Sequence, residues 1–410
     1  MREVLSTDFF VGNRDRLRQL FAGKAPIILT ANGLLQRTAD ETFPFNQDRD
    51  FWYLTGVDEP DVILVIDKDR EYLIVPGREG AREAFDGAVN IDKIISRSGI
   101  KDVLNEKDGW KQLETRVKKV KHVATIAAYP KYMDFWGMYT NPSRGVLIHK
   151  LKNINPGIEL LDLRSHLSRM RMIKQEAEMI AMRQAFNITI DTFKEVLRPS
   201  RLSKYAHEYE IEADITRGFR RRGAHGHAFS PIVASGSRAC TLHNIKNDSD
   251  LSSADLVTID IGAEFDHYAA DITRTVSLGG NPSRRQETVY QAVLESQDHA
   301  FSLLKPGVLL RDYEQNMESF IGEKLRELGL IKTIDSDAVR KFFPHATSHF
   351  LGLDAHDAGD YEHPLEPGVV LAVEPGIYIP KEGIGVRIED NILITDKGVE
   401  VLTSLPRTLS

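Results

Sequence analysis

Four carboxylates and one imidazole in the second half of the chain, Asp260, Asp271, Glu374, Glu389 and His349, each end or interrupt an apolar run. The segments that carry them read TIDIGAEFDHYAADITRT, HATSHFLGLDAHD and VEPGIYIPKEGIGVRIEDN. Acidic side chains are expensive to bury without a counter-charge. Two divalent cations held among them would remove that cost and create a hydrolytic centre. Carboxylates with an imidazole suit hard or borderline ions such as Mn²⁺, Co²⁺ or Zn²⁺. The chain has one cysteine, Cys240, which removes a thiolate zinc site.

The elements needed to converge these groups are hairpins. Residues 256–278 read as two strands, and a two-residue loop at Phe265-Asp266 would set Asp260 directly opposite Asp271. The C-terminal segment reads as a second hairpin. VVLAVE runs into Pro375-Gly376, and IGVRIEDNILIT returns after Gly383 and Gly385. Glu374 would end its first strand, with Glu389 inside the second. Two hairpins that each place two carboxylates in apolar strands are hard to ascribe to coincidence.

The remaining histidines surround these segments. His345 and His349 are four apart, but Pro344 and Gly352 argue for a loop and short strand rather than a helix. His349 is the expected ligand; His243, His345 and His356 are expected outside the ligand set, in substrate contact or proton transfer. No GxSxG elbow and no GxxxxGK phosphate loop occurs. Cys240 reads as a buried strand cysteine rather than a nucleophile.

At 410 residues two domains are expected. The net charge of −7 argues against a nucleic-acid partner, which would need a basic face. No run approaches the ~18 apolar residues of a membrane helix, and the lone cysteine fits a reducing compartment, so the cytoplasm is expected. Helical spacing of Leu17, Leu20 and Phe21 is followed by strand-like runs at residues 25–31, 61–67, 71–76, 121–130 and 157–163, the mixture of an α/β domain. A boundary is expected near residues 160–176. Helices then follow over residues 172–197 and 204–222, ended by Pro199 and Gly223. Strands with a closing helix occupy residues 227–300, a helix lies within 302–330, and strands return over 365–405. Helices and antiparallel strands around one site predict an α+β domain.

These segments, in their order and spacing, resemble the aminopeptidase P and prolidase family of metallopeptidases. FPFNQDRDFWYLTGVDEPD, residues 43–61, is similar to that family's N-terminal domain. The resemblance covers nearly the whole chain. It implies an α/β creatinase-like N-terminal domain over residues 1–168 and a pita-bread catalytic domain over residues 169–410. It implies two metal ions, usually manganese, with zinc or cobalt as alternatives. Asp260 would bind one metal, Asp271 and Glu389 would bridge the pair, and His349 and Glu374 would complete the other's shell. A bridging hydroxide would attack the carbonyl before proline, with Glu374 taking up a proton. His243 and His356 match positions that contact the scissile peptide. His345 and Arg387 match residues around the proline-side pocket, with Phe229 and Tyr378 as its aromatic walls.

The resemblance implies removal of the N-terminal residue from peptides with proline second. The alternatives are a dipeptidase acting on X-Pro alone and a metal-less peptide-binding module. A homo-oligomer, dimer or tetramer, is implied too. Two positions depart from the family pattern: Ala346 stands where a glycine is usual, and Asn244 follows His243 where an aromatic residue is frequent. Both lie near the substrate and bear on its side-chain preference, not on the metal ligands.

Overall fold

A computed structural model describes residues 4–21, 25–78, 80–127 and 131–409. The chain divides into two compact units, one of residues 5–168 and one that takes the chain from Arg169 onward together with Val4. Val4 joins the second unit through its amide, which donates to Asp266 Oδ2 at 3.2 Å.

The first unit is built on a six-stranded mixed sheet. Its strand order is Val103–Asn105, Glu71–Val75, Ile63–Ile66, Ile27–Thr30, His122–Thr125 and Glu159–Asp162. Five of these strands fall on the apolar runs expected from sequence, and the edge strand Val103–Asn105 was not expected; residues 128–130, the end of the 121–130 run, lie outside the described residues. Ile63, Val65, Tyr72 and Ile74, at the strand period of two, pack with Leu113, Val117, Leu147 and Leu151 of two helices. The helix Arg49–Thr55 begins where Asp48 accepts from the Phe51 amide at 3.0 Å. It ends at Gly56, whose positive φ of 65° lets the chain turn sharply. The fully buried Arg14 meets both Glu71 oxygens and the carbonyls of Leu54 and Ser98, which satisfies an otherwise costly charge.

The second unit is α+β. Helices Glu176–Val196 and Glu208–Arg221 pack together; the latter starts later than the periodicity predicts, because its N-terminus is set by a capping box between His207 and Glu210. Strands Ile232–Ser235, Leu256–Ile261 and Ile272–Ser277 form one antiparallel sheet. Strands Ser348–Phe350, Val370–Val373, Asp390–Thr395 and Gly398–Val401 form another. Helices Arg284–Leu303 and Leu310–Glu327 supply Val289, Val293, Met317 and Ile321 to a core shared with Leu371, Val373, Val386 and Ile392.

Both site hairpins form, with one change of register. Phe265 pairs with Tyr268, and Asp260 pairs with Thr273, not with Asp271. The loop is Asp266-His267, one residue later than predicted. Both residues adopt positive φ, 47° and 65°, as a type I′ turn requires, although neither is glycine or asparagine. Asp271 therefore lies two residues along from the position opposite Asp260, diagonal on the same face. Gly262 stands at the crossing; a Cβ there would fall 1.7 Å from the Ala270 carbonyl oxygen.

The C-terminal hairpin keeps one register across two sheets. Val373 pairs with Asp390 and Gly376 with Arg387, so Glu374 and Glu389 occupy opposed positions at the step between the sheets. Continuity is carried there by the Ile388 amide, which donates to the Pro375 carbonyl at 3.4 Å.

Candidate metal centre

The two hairpins and the strand Ser348–Phe350 converge their polar groups on one buried spot. Ligand atoms of Asp271, His349 and Glu389 lie within 4.8 Å of one another, and all three residues are buried. His349 Nε2 stands 3.5 Å from Glu374 Oε1, 3.8 Å from Asp271 Oδ2 and 3.9 Å from Glu389 Oε1. These distances exceed a hydrogen bond, leaving the groups ringed around a common centre. His349 reaches it because Ser348 pairs with Val373 and the Glu374 amide donates to the Thr347 carbonyl at 2.8 Å.

The tautomer of His349 is set by its other nitrogen. Nδ1 lies 3.0 Å from the Phe350 carbonyl, which can only accept, so Nδ1 carries the proton and Nε2 presents a lone pair to the carboxylates. Burial, followed by the nearby His356, lowers its pKa to about 3, which keeps the ring neutral as a metal ligand requires.

The carboxylates show the opposite strain. Burial, then the charges of Glu389, Asp260 and Glu374, holds the Asp271 carboxyl well above its ordinary range. Glu374 is raised in the same way by burial and Glu389, against the pull of Arg387. Burial and Asp260 push Glu389 up to about 8. Three buried acids and the half-buried Glu374, facing one arginine, are short of positive charge. In addition, Asp260 Oδ1 is buried with no hydrogen-bond partner among the described residues. Hard divalent cations would meet both deficits, and the donor set fits them.

A ring of partners orients the ligands. Arg387 Nη2 donates to Asp260 Oδ2 at 2.7 Å, Nη1 to the Tyr378 hydroxyl at 3.0 Å and Nε to Thr273 Oγ1 at 3.3 Å. The Thr273 hydroxyl in turn donates to Glu389 Oε2 at 2.8 Å. Asn391 brackets Asp271, accepting from its amide at 3.2 Å and donating to its carbonyl. Glu314 accepts from the Thr347 and Ser348 amides at 2.9 and 3.0 Å, which fixes the approach to His349. Such partners commonly decide the affinity and geometry of a metal site. Thr273, Asn391 and Glu314 were not singled out by the sequence. Thr273 alone carried a signal, its place two residues after Asp271 on the same strand face.

The other expected site residues fall into two groups. His356 is exposed and its ring lies 4.2 Å from that of His349; His243, also exposed, is close enough that its charge acts on His356. Tyr378 is buried, and its hydroxyl joins Arg387 to His345 Nε2 at 2.9 Å. The half-buried Phe229 packs on Gly262, where a Cβ would come 2.9 Å from its ring. Arg387 is itself 3% exposed, with its guanidinium engaged by Asp260, Tyr378 and Thr273.

Comparison with known proteins covers both units. Residues 180–396 match the sequence profile of Metallopeptidase family M24, and residues 10–125 match that of the aminopeptidase P N-terminal domain. The Xaa-Pro aminopeptidase of Haemophilus influenzae is 34% identical, over 95% of this chain and 93% of its own length. Aminopeptidase PepP of Pseudomonas aeruginosa superposes with a TM-score of 0.86 at 31% identity, covering 100% of this chain and 97% of its own. A zinc-substituted Escherichia coli aminopeptidase P in complex with product gives a TM-score of 0.84 at 30% identity, over 98% and 95% of the two chains.

Proposed function

The chain belongs to metallopeptidase family M24, and from that premise we propose that it is an Xaa-Pro aminopeptidase, releasing the first residue of peptides whose second residue is proline. The observation that carries the proposal is the buried convergence of Asp271, His349 and Glu389, with Glu374 and Asp260 beside them. The chemistry is metal-dependent peptide hydrolysis.

Two divalent ions would be held at this centre by Asp260, Asp271, His349, Glu374 and Glu389. Manganese is the proposed ion, with zinc or cobalt able to replace it. When bound, the ions supply Lewis acidity, lowering the pKa of water and polarising the scissile carbonyl.

The protein's own groups do the rest. Glu374, whose carboxylate stands beside His349 at the edge of the centre, receives the proton of the attacking water. His356, whose exposed ring lies against that of His349, and the exposed His243 near it donate to the oxygen of the tetrahedral species and deliver a proton to the departing prolyl nitrogen. An X–Pro amide has no N–H, so proline is selected by shape. Phe229, His345 and Tyr378 form the walls assigned to that pocket. Arg387 acts behind them, because its donors are engaged by Asp260, Tyr378 and Thr273.

We further propose a homo-oligomer, dimer or tetramer. Phe135, Trp136 and Tyr139 of the first unit are 78%, 66% and 102% exposed, more apolar surface than a monomer ordinarily shows in one short stretch. A cytoplasmic site of action is consistent with the free Cys240. Among the described residues no helix is long and apolar enough to cross a membrane. The deciding experiment is metal-dependent release of the first residue from X-Pro-Y peptides; failure with every divalent ion overturns the assignment.

A further inference from the structure

His356 is carried by a segment without regular secondary structure, residues 351–357. The segment is nevertheless tied down at several points. The Ala269 amide donates to the Gly352 carbonyl at 2.8 Å, the Gly352 amide to the Asp354 carbonyl at 3.1 Å, and the Asp357 amide to the Phe350 carbonyl at 2.9 Å. The Asp357 carboxylate lies inside this turn. A Cβ on residue 352 would sit 2.1 Å from Asp357 Oδ2, so the chain can wrap the carboxylate only with glycine there.

Two cations from the segment before helix Glu176–Val196 meet that carboxylate. Lys174 Nζ donates to Asp357 Oδ2 at 3.0 Å, and Arg171 Nη2 donates to Asp357 Oδ1 and, at 2.9 Å, to Asp354 Oδ2. The side chains of Lys174, Asp357 and Arg171 are 0%, 1% and 4% exposed. Burial works against the charge on Asp357, but Arg171 and Lys174 outweigh it and hold the carboxyl below its ordinary range. The far side of the segment is braced as well. Tyr268, beside Ala269, donates to the buried Glu178 at 2.9 Å.

A buried ion cluster is a poor source of net stability, since desolvation offsets most of the attraction. What it supplies is fixed geometry. We propose that Arg171, Lys174 and Asp357 are positioning residues that clamp the 351–357 segment and so hold His356 over His349 for the hydrolytic step. The proposal rests on the assignment of His356 to substrate. Freed of the clamp, the segment has no strand ladder to hold it, and a displacement of about 1 Å can cost on the order of 100-fold in rate.

A double-mutant cycle on the metal-loaded enzyme tests this. Asp357→Asn and Lys174→Met are each measured in the wild-type and His356→Ala backgrounds, with kcat, KM and bound metal per chain recorded. The expected result is a loss of about 10- to 100-fold in kcat in the wild-type background, with KM and metal content unchanged. In the His356→Ala background the same changes alter kcat less than about twofold. Lys174→Arg, which keeps the charge, regains most of the activity. Where Asp357→Asn does not fold, Lys174→Met carries the cycle alone. Losses that multiply in the His356→Ala background, or that follow loss of metal, overturn the clamp alone. An unchanged kcat in His356→Ala overturns the reading of His356 and the clamp with it.

Discussion

Glu374 and Glu389 stand opposite each other at the step where the C-terminal hairpin passes from one sheet to the next. Two acids at opposed strand positions repel, and here Glu389 is buried and Glu374 half-buried, so the hairpin is destabilised locally by the residues it exists to present. Asp260 and Asp271, diagonal on one strand face rather than opposed, add to this, since the charge of Asp260 raises the Asp271 carboxyl. The fold carries this strain because a bound cation converts the repulsion into ligation.

The strain should be visible as a pH dependence of the metal-stripped protein. The folded-state pKa of Glu389 is about 8, above the unfolded value of about 4.3. The folded state therefore binds the extra proton between those values, and stability falls as pH rises through that window. Asp271 and Glu374 are shifted in the same direction. Thermal melts of chelator-treated protein should show Tm declining from pH 7 to 8.5, above the range in which the buried His349, kept neutral by the fold, works in the opposite direction, with metal flattening the decline. A Tm of the stripped protein that rises across that range would contradict the charge assignment.

Removing a ligand separates activity from folding. Asp271→Ala and Glu389→Ala should each reduce turnover about 1,000-fold or more, while circular dichroism stays that of the folded protein. Their metal-free forms should melt no lower than the parent, because each deletes one of the mutually repelling acids. Near-normal turnover in either variant would sink the two-ion assignment.

Arg387 acts through Asp260. Arg387→Met removes three hydrogen bonds and leaves Asp260 without its cation. Metal affinity, read by titration of the stripped enzyme, should fall about 10- to 100-fold. If the affinity holds and only KM for the peptide changes, Arg387 belongs to the substrate pocket instead.

Gly262 is a packing requirement rather than a flexible point. Its absent Cβ would lie 1.7 Å from the Ala270 oxygen, against backbone that cannot move aside without breaking the strand pairing. Gly262→Ala should cost about 3 kcal/mol, measured by denaturant unfolding of the metal-free protein. A loss under about 0.5 kcal/mol would mean the hairpin register differs from the one described.

Much of this site was legible because a buried carboxylate in an apolar strand is an anomaly that demands a partner. Asp260, Asp271, Glu374 and Glu389 each carry that anomaly in the sequence itself. The register of the first hairpin was not legible. Asp266-His267 adopts the left-handed conformation without the Asn-Gly signature, so nothing in the sequence fixes the turn there rather than one residue earlier. The residues that orient the ligands were hidden for a different reason. Asn391 reaches Asp271 across 120 residues of sequence, and Lys174 reaches Asp357 across 183. In the sequence an asparagine or a lysine beside an apolar segment looks like any surface residue. Five strands of the first unit's sheet are readable from short β-branched runs, but the three-residue edge strand Val103–Asn105 is too short to give a period, and the strand order is not readable, since periodicity gives an element and never its neighbour.

The most direct measurement compares X-Pro-Y, X-Pro and X-Ala-Y as substrates of the stripped enzyme, with and without added Mn²⁺. The account predicts release of the first residue from X-Pro-Y alone, only when metal is present, and its loss on renewed chelation. Cleavage confined to X-Pro would make the protein a dipeptidase, and no cleavage with any divalent ion would contradict the hydrolytic centre itself.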